Sequence, residues 1–337
     1  MKRSLMIFLK AGVSLGLLAF FLTREFDFSH FFEVISAARF SYIGAALLIY
    51  LAGQVISSLR WALLAGTLGF RNPFKDFATF YFIGMFFSLF TPTTVGGDVG
   101  RVFYLARDGA NTRESARSGS VALATISVLA DRAIGMAVLV WIGAVAVAAF
   151  PGYALPASIR YATFALAVGL LAGGLSLPLF SPLLRGWQHP MVKNLSLALQ
   201  NYPRHWRAIV YAASLSLAVH FLQTWIHVLL GRALEADIPW SYAFIIYPLV
   251  GTFSALPVSL NGIGLREGGY LLMLSYIGIG SEKAIAFGLV WFIVVALDSL
   301  IGGLLFILRK SPAPAALAAE AKVRSESESG GWRGRGR

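Results

Sequence analysis

Long apolar runs recur along this chain, each closed by charged or turn-forming residues. Runs over 4–23, 41–64, 118–149, 157–180, 207–231 and 284–309 are at or above the roughly 20 residues that a helix needs to cross a bilayer. They predict six full spans. Two further stretches, 77–105 and 241–280, are as apolar but are interrupted near their centres by Pro, Gly and small polar residues. These predict broken-helix hairpins rather than simple spans. The expected fold class is therefore all-α, a polytopic membrane bundle.

Composition agrees with the pattern. Hydrophobic residues make up 57% of the chain and charged residues 13%, where a soluble domain carries roughly 25% charged. The mean hydropathy is +0.71. A net charge of +12 is read here as Lys and Arg gathered in cytoplasmic loops, not as a nucleic-acid surface. Cysteine is absent, which excludes disulfides, thiolate metal sites and a thiol nucleophile. Met1-Lys2-Arg3-Ser4 and the apolar run to Leu22 have the layout of a signal peptide, yet no small-residue cleavage site follows. A retained first helix is expected. After Lys310 the composition shifts to Pro, Ala, Ser, Glu, Gly and Arg. This divides the chain into a membrane domain over 1–310, with halves of about 1–150 and 151–310, and a disordered cytoplasmic tail over 311–337.

Charge sets the orientation. Lys2, Arg3 and Lys10 place the N-terminus inside, and Glu25, Asp27 and Glu33 suit the outside. Arg60, Arg71 and Lys75 bring the second span back inside. A full crossing by 77–90 would then strand Arg101, Arg107, Arg113 and Arg117 outside, against the positive-inside rule. A re-entrant hairpin removes the conflict. Continued along the chain, the second broken stretch enters from outside, and Arg309 and Lys310 end inside. A multi-pass protein of the cytoplasmic (inner) membrane with both termini cytoplasmic is expected.

The two breaks match without gaps. Pro92-Thr93-Thr94-Val95-Gly96-Gly97-Asp98-Val99-Gly100-Arg101 lies beside Pro257-Val258-Ser259-Leu260-Asn261-Gly262-Ile263-Gly264-Leu265-Arg266. Pro, hydroxyl, Gly and Arg agree in order. Asp131 then follows the first proline by 39 residues and Asp298 follows the second by 41, each with Ile and Gly after it. Since the first half begins inside and the second outside, the pattern predicts an inverted repeat. Transporters of that design often place substrate where paired discontinuous helices meet.

Irregular backbone persists at membrane depth only where protein or water surrounds it. The breaks should therefore line an interior cavity. Thr94, Gly97, Ser259 and Gly262 lie in the breaks, and helix N-termini with close-approaching N–H groups favour an anion. Arg101 and Arg266 add guanidinium forks that fit phosphate, with Glu267 a ready partner for Arg266. Asp98 and Asn261 are natural N-caps. Glycines serving helix packing and arginines reaching for headgroups are the plainer alternative. Asp131 and Asp298 fall near mid-span, where carboxylates face the bundle interior. With Asp98, they are read as proton-binding groups or as ion-pair partners of Arg101 and Arg266. Arg60-Trp61 reads as an interface anchor, and His220 and His227 as packing or cavity-lining residues. No metal set, no Gly-x-Ser-x-Gly elbow and no Walker-type loop occurs. No cofactor is implied.

The Pro92–Arg101 stretch, the Asp131-Arg132-x-x-Gly135 helix and the stretch from Leu256-Pro257 to Gly264-Leu265-Arg266-Glu267 resemble the membrane region of bacterial lysylphosphatidylglycerol synthase/flippase proteins and their stand-alone, flippase-like relatives. The resemblance covers residues 1 to about 310. It implies a bacterial or archaeal cytoplasmic-membrane protein that moves or binds a phospholipid or polyprenyl-phosphate lipid. Arg101, Asp131, Arg266 and Glu267 fall on the family's motif positions. In the full-length synthases aminoacyl transfer belongs to a separate soluble domain after the membrane region. This chain ends in a short low-complexity tail, so synthase activity is not expected.

A lipid translocase, not an enzyme, is the leading expectation. Its partner would be a membrane lipid with an anionic or phosphate headgroup. An accessory module that presents lipid-linked intermediates to a membrane glycosyl- or acyltransferase is the alternative. A hydrolase using Asp131 and Asp298 as a carboxylate pair is a third reading, and a homo-oligomer stays open.

Overall fold

A computed structural model describes residues 28–91, 96–108, 117–184, 204–256 and 264–309, with Gly262 and scattered positions between 192 and 202. The expected first span over 4–23 and the tail over 311–337 lie outside the described residues. So do Pro92, Thr94, Pro257, Ser259 and Asn261.

The described elements are helices, and no strand occurs among them. They are α1 (Phe28–Ser36), α2 (Phe40–Thr67), α3 (Phe74–Phe90), α4 (Gly96–Asp108), α5 (Arg117–Ala149), α6 (Ala157–Leu184), α7 (Trp206–Ala233), α8 (Trp240–Ser254), α9 (Leu265–Ser275) and α10 (Ser281–Leu308). Five helices, α2, α5, α6, α7 and α10, are long and apolar enough to cross a membrane. They coincide with five of the six expected full spans. The chain is a multi-pass, all-α membrane bundle. The short helix α1 was not expected. Its Val34 joins the main core, because residues 28–36 carry enough apolar side chains to pack against α10.

Both interrupted stretches fold as helical hairpins. In the first, α4 returns along α3, and the close approach is set by glycine. A Cβ at Gly97 would collide with the Gly84 carbonyl and the Ser88 hydroxyl, and one at Gly84 would press on Arg101. In the second, α9 returns along α8, with Gly262 against Ser254 and Gly269 against Val250. Gly262 and Gly264 have φ of +76° and +83°, a left-handed conformation that glycine adopts without a Cβ penalty. Gly97 and Gly262 thus have packing work at the turn of each hairpin.

The packing between elements is reciprocal. α2 and α7 form the central and most extensive pair. α10 lies on the first hairpin, Gly302 against the Phe82 backbone and Gly303 against the Phe86 ring. α5 lies on the second hairpin, Gly143 against Pro248 and Gly251 against Leu139. α5 also packs on α4, and α10 on α9. The arms meet through small residues because apolar burial drives little association within a bilayer, so close van der Waals contact matters more.

Candidate functional site

A polar stripe runs down the inner face of each central helix. On α2 it comprises Gln54, Ser57, Ser58 and Arg60, and on α7 Ser216, His220, Gln223, Thr224 and His227, all buried. Helical spacing puts each set on one face, so two otherwise apolar helices meet across a polar seam.

At the first break Arg101 points into this seam and is 6% exposed. Its guanidinium lies between the Trp61 ring, 4.2 Å away, and the Tyr81 ring, 4.5 Å away. Cations favour such aromatic faces. Along its edge, Nη2 donates to Asp131 Oδ2 at 2.9 Å, and Nη1 lies 3.6 Å from Asp98 Oδ1. Asp131, 1% exposed, takes a second guanidinium: Arg60 Nε donates to Oδ1 at 2.7 Å. Arg60 Nη1 also donates to Ser216 Oγ at 2.9 Å. Asp98 pairs with Arg132 as well. The helix begins at Gly96, so Asp98 sits in the first turn rather than at the expected N-cap, still beside the positive end of the helix.

Arg60 corrects the sequence reading. It is no interface anchor: it is 6% exposed and clamps Asp131 from the side opposite Arg101. Trp61 beside it is fully buried, its Nε1 donating to Ser127 Oγ at 3.1 Å. The physical reason is that the α2 face carrying Arg60 looks at α5, where a buried carboxylate compensates it. The signal was present in sequence, since Gln54, Ser57 and Arg60 recur at helical spacing within an apolar run.

At the second break Arg266 turns to its neighbour. Nη2 and Nε donate to Glu267 Oε1 at 2.6 and 3.0 Å, and the guanidinium stands over the Phe292 ring at 5.4 Å. Glu267 Oε2 accepts the Gly264 N–H at 2.7 Å, which caps α9. The anticipated Arg266–Glu267 pairing is present. Asp298, the counterpart of Asp131, does not share its arrangement. It is 1% exposed, and neither oxygen has a hydrogen-bond partner among the described residues. The two arginines are thus matched in sequence but held differently. Of the other expected site residues, Gly97 and Gly262 lie at the hairpin turns described above. Thr94 and Ser259 lie outside the described residues.

Between the breaks stand tyrosines and the two histidines. Tyr247 Oη lies 2.8 Å from His220 Nδ1, while His220 Nε2 lies 2.9 Å from the Gly135 carbonyl. A carbonyl only accepts, so Nε2–H is the donor there. His227 Nδ1 likewise donates to the Gln223 carbonyl at 2.8 Å, and its Nε2 lies 2.8 Å from Tyr270 Oη. Tyr50 is within electrostatic reach of Asp298, Arg266 and Tyr81. These contacts run from the Asp131 cluster to α9. The histidines, expected as packing or cavity-lining residues, are buried, and each is tied to a tyrosine.

Several buried polar atoms lack partners among the described residues: Arg101 Nε, Gln223 Oε1, Thr224 Oγ1, Ser254 Oγ and the Asp298 carboxylate. Each such group costs on the order of 1–3 kcal/mol or more when nothing meets it. They lie on α4, α7, α8 and α10.

A search of the curated proteins finds no match to this chain. Residues 7–302 match the family described as the lysylphosphatidylglycerol synthase TM region. With a bundle of membrane-crossing helices, two broken hairpins and that match over most of its length, the chain belongs to the lysylphosphatidylglycerol synthase TM-region family.

Proposed function

We propose that this protein is a lipid translocase that binds the headgroup of a phospholipid or polyprenyl-phosphate lipid between the two hairpins, while the tail stays in the bilayer. Membership of a family named for a phospholipid-modifying enzyme supports a lipid-related role. The observation that carries the finer reading is the set of partnerless buried polar atoms on α4, α7, α8 and α10, beside the one arginine that α4 and α9 each bring from a break.

Charge supports an anionic ligand. Arg60 and Arg101 both reach Asp131, and Arg101 and Arg132 both reach Asp98, so guanidinium groups are concentrated at the first break, where a phosphodiester would find donors. Arg101 is fixed by its aromatic sandwich and acts as a standing positive field. Arg266 is held by a single neighbouring carboxylate, and a phosphate takes the guanidinium fork in exchange for Glu267. The Glu267 carboxylate then keeps its bond to the Gly264 N–H, so the capped end of α9 survives the exchange.

The test is transbilayer movement of a labelled anionic phospholipid in vesicles holding the purified protein. Arg266→Ala is expected to abolish movement with expression and folding intact. Full movement by that variant contradicts the proposal. Headgroup binding without movement by the wild type favours presentation of the lipid to a separate transferase instead.

A further inference from the structure

Asp298 is the buried acid that the ion pairs leave out. Asp131, at the matching place in the first half, receives two guanidiniums at 2.7 and 2.9 Å. Asp298 is equally buried, yet both its oxygens are without a partner among the described residues.

Among the described residues, the neighbouring elements do not supply a counter-charge. From α2, Tyr50 is within electrostatic reach and is a neutral phenol. From α3, Phe82 and Phe86 pack one turn along, at Gly302 and Gly303, and Tyr81 lies against Arg101. From α9, the Arg266 guanidinium is engaged by Glu267, and Tyr270 meets His227. From α7, both nitrogens of His227 are engaged and its ring lies on Trp291. On α1, Glu33 is exposed. A carboxylate isolated in a membrane interior is strongly disfavoured unless it gains a positive charge.

We propose that Asp298 is the loading site for one small cation, a proton or a sodium ion, which travels in exchange with the lipid. The inference rests on the translocase reading and deepens it by naming the energy source as an ion gradient. The asymmetry assigns the two acids different tasks. Asp131 is a fixed structural carboxylate, and Asp298 is the one that changes its charge state as the interior opens to either side. A charge loaded there cancels the Asp298 carboxylate, so the interior can reorient without carrying that uncompensated charge through the bilayer.

The test compares wild type with Asp298→Asn, which keeps shape and removes the charge. Asp298→Leu serves as a second variant should the amide fold poorly. Infrared difference spectra of the purified full chain report a protonated carboxyl, and thermal stability in sodium against potassium reports sodium binding. A carboxyl band in wild type that vanishes in Asp298→Asn supports a proton. A sodium-specific stabilisation that vanishes in the same variant supports sodium. Absence of both signals from the wild type overturns the proposal, whatever the lipid does. In vesicles, an imposed gradient of the same ion is expected to accelerate lipid movement by wild type and to leave the Asp298→Asn rate unchanged. Equal acceleration of both proteins also overturns it. A wild type that shows either signal but moves no lipid under any gradient overturns the translocase reading and leaves the cation site standing.

Discussion

Asp131 takes one guanidinium on each oxygen, so it acts as the clasp between α2, α4 and α5. Removing one partner of a buried ion pair leaves an uncompensated charge, at a cost of about 3–5 kcal/mol. Asp131→Asn is therefore expected to lower the unfolding midpoint in detergent sharply, whereas Arg39→Ala, which breaks an exposed pair with Glu235, leaves it almost unchanged. Equal midpoints for the two variants would contradict the clasp. The same engagement bears on carboxylate-pair chemistry, since both oxygens of Asp131 are already occupied. The histidine–tyrosine contacts are weaker. Tyr247→Phe removes one hydrogen bond to His220 and is expected to cost about 1 kcal/mol, measurable in the same unfolding assay. Residue types were legible in sequence at this scale, and partners were not. Arg101, Arg266 and the two aspartates stand out as charges within apolar runs. That Arg60 rather than Arg266 completes the Asp131 cluster depends on which helix faces which, and spacing along one chain does not contain that.

At the scale of elements the hairpins depend on glycine at the crossing points. Gly97→Ala would drive a methyl into the Gly84 carbonyl, which belongs to backbone and cannot rotate away. The arms of the first hairpin are expected to separate, with loss of the folded monodisperse protein on size-exclusion chromatography. Gly100→Ala meets the Phe87 ring only at 3.4 Å and Gly174→Ala meets nothing within 4 Å, so both should elute as wild type. Retention of normal behaviour by Gly97→Ala would show that the arms are not closed as described. The breaks themselves were plain in sequence, because Pro and clustered Gly inside an apolar run disfavour a continuous helix. The extent of the helices was also close, α7 running from Trp206 to Ala233 where 207–231 was expected. The small helix α1 was missed. Nine residues are too few to show a clear period, and its stability comes from packing on the bundle rather than from its own turns.

For the whole molecule, reciprocal packing of each half's last helix on the other half's hairpin is what two related halves would produce. The inverted arrangement across the membrane is a separate claim, and the absence of native cysteine makes it simple to test. With single cysteines and an impermeant thiol reagent, Asn72→Cys and Asn111→Cys should both label from the cytoplasmic side, and Asp237→Cys and Ser281→Cys both from the outer side. Labelling of Asn72→Cys and Asn111→Cys from opposite sides would mean that the first hairpin spans the membrane. Sequence periodicity carried the class and the hairpins because bilayer thickness and backbone satisfaction leave few alternatives. It could not carry the asymmetry between Asp131 and Asp298, which arises only when helices distant in sequence are packed together. If the breaks hold one phosphate-bearing lipid, native mass spectrometry of the purified protein with its retained lipids should reveal it. Wild type is expected to carry a phosphate-headgroup lipid in about one-to-one ratio, lost in Arg266→Ala. The same lipid retained at the same occupancy by Arg266→Ala would contradict the account.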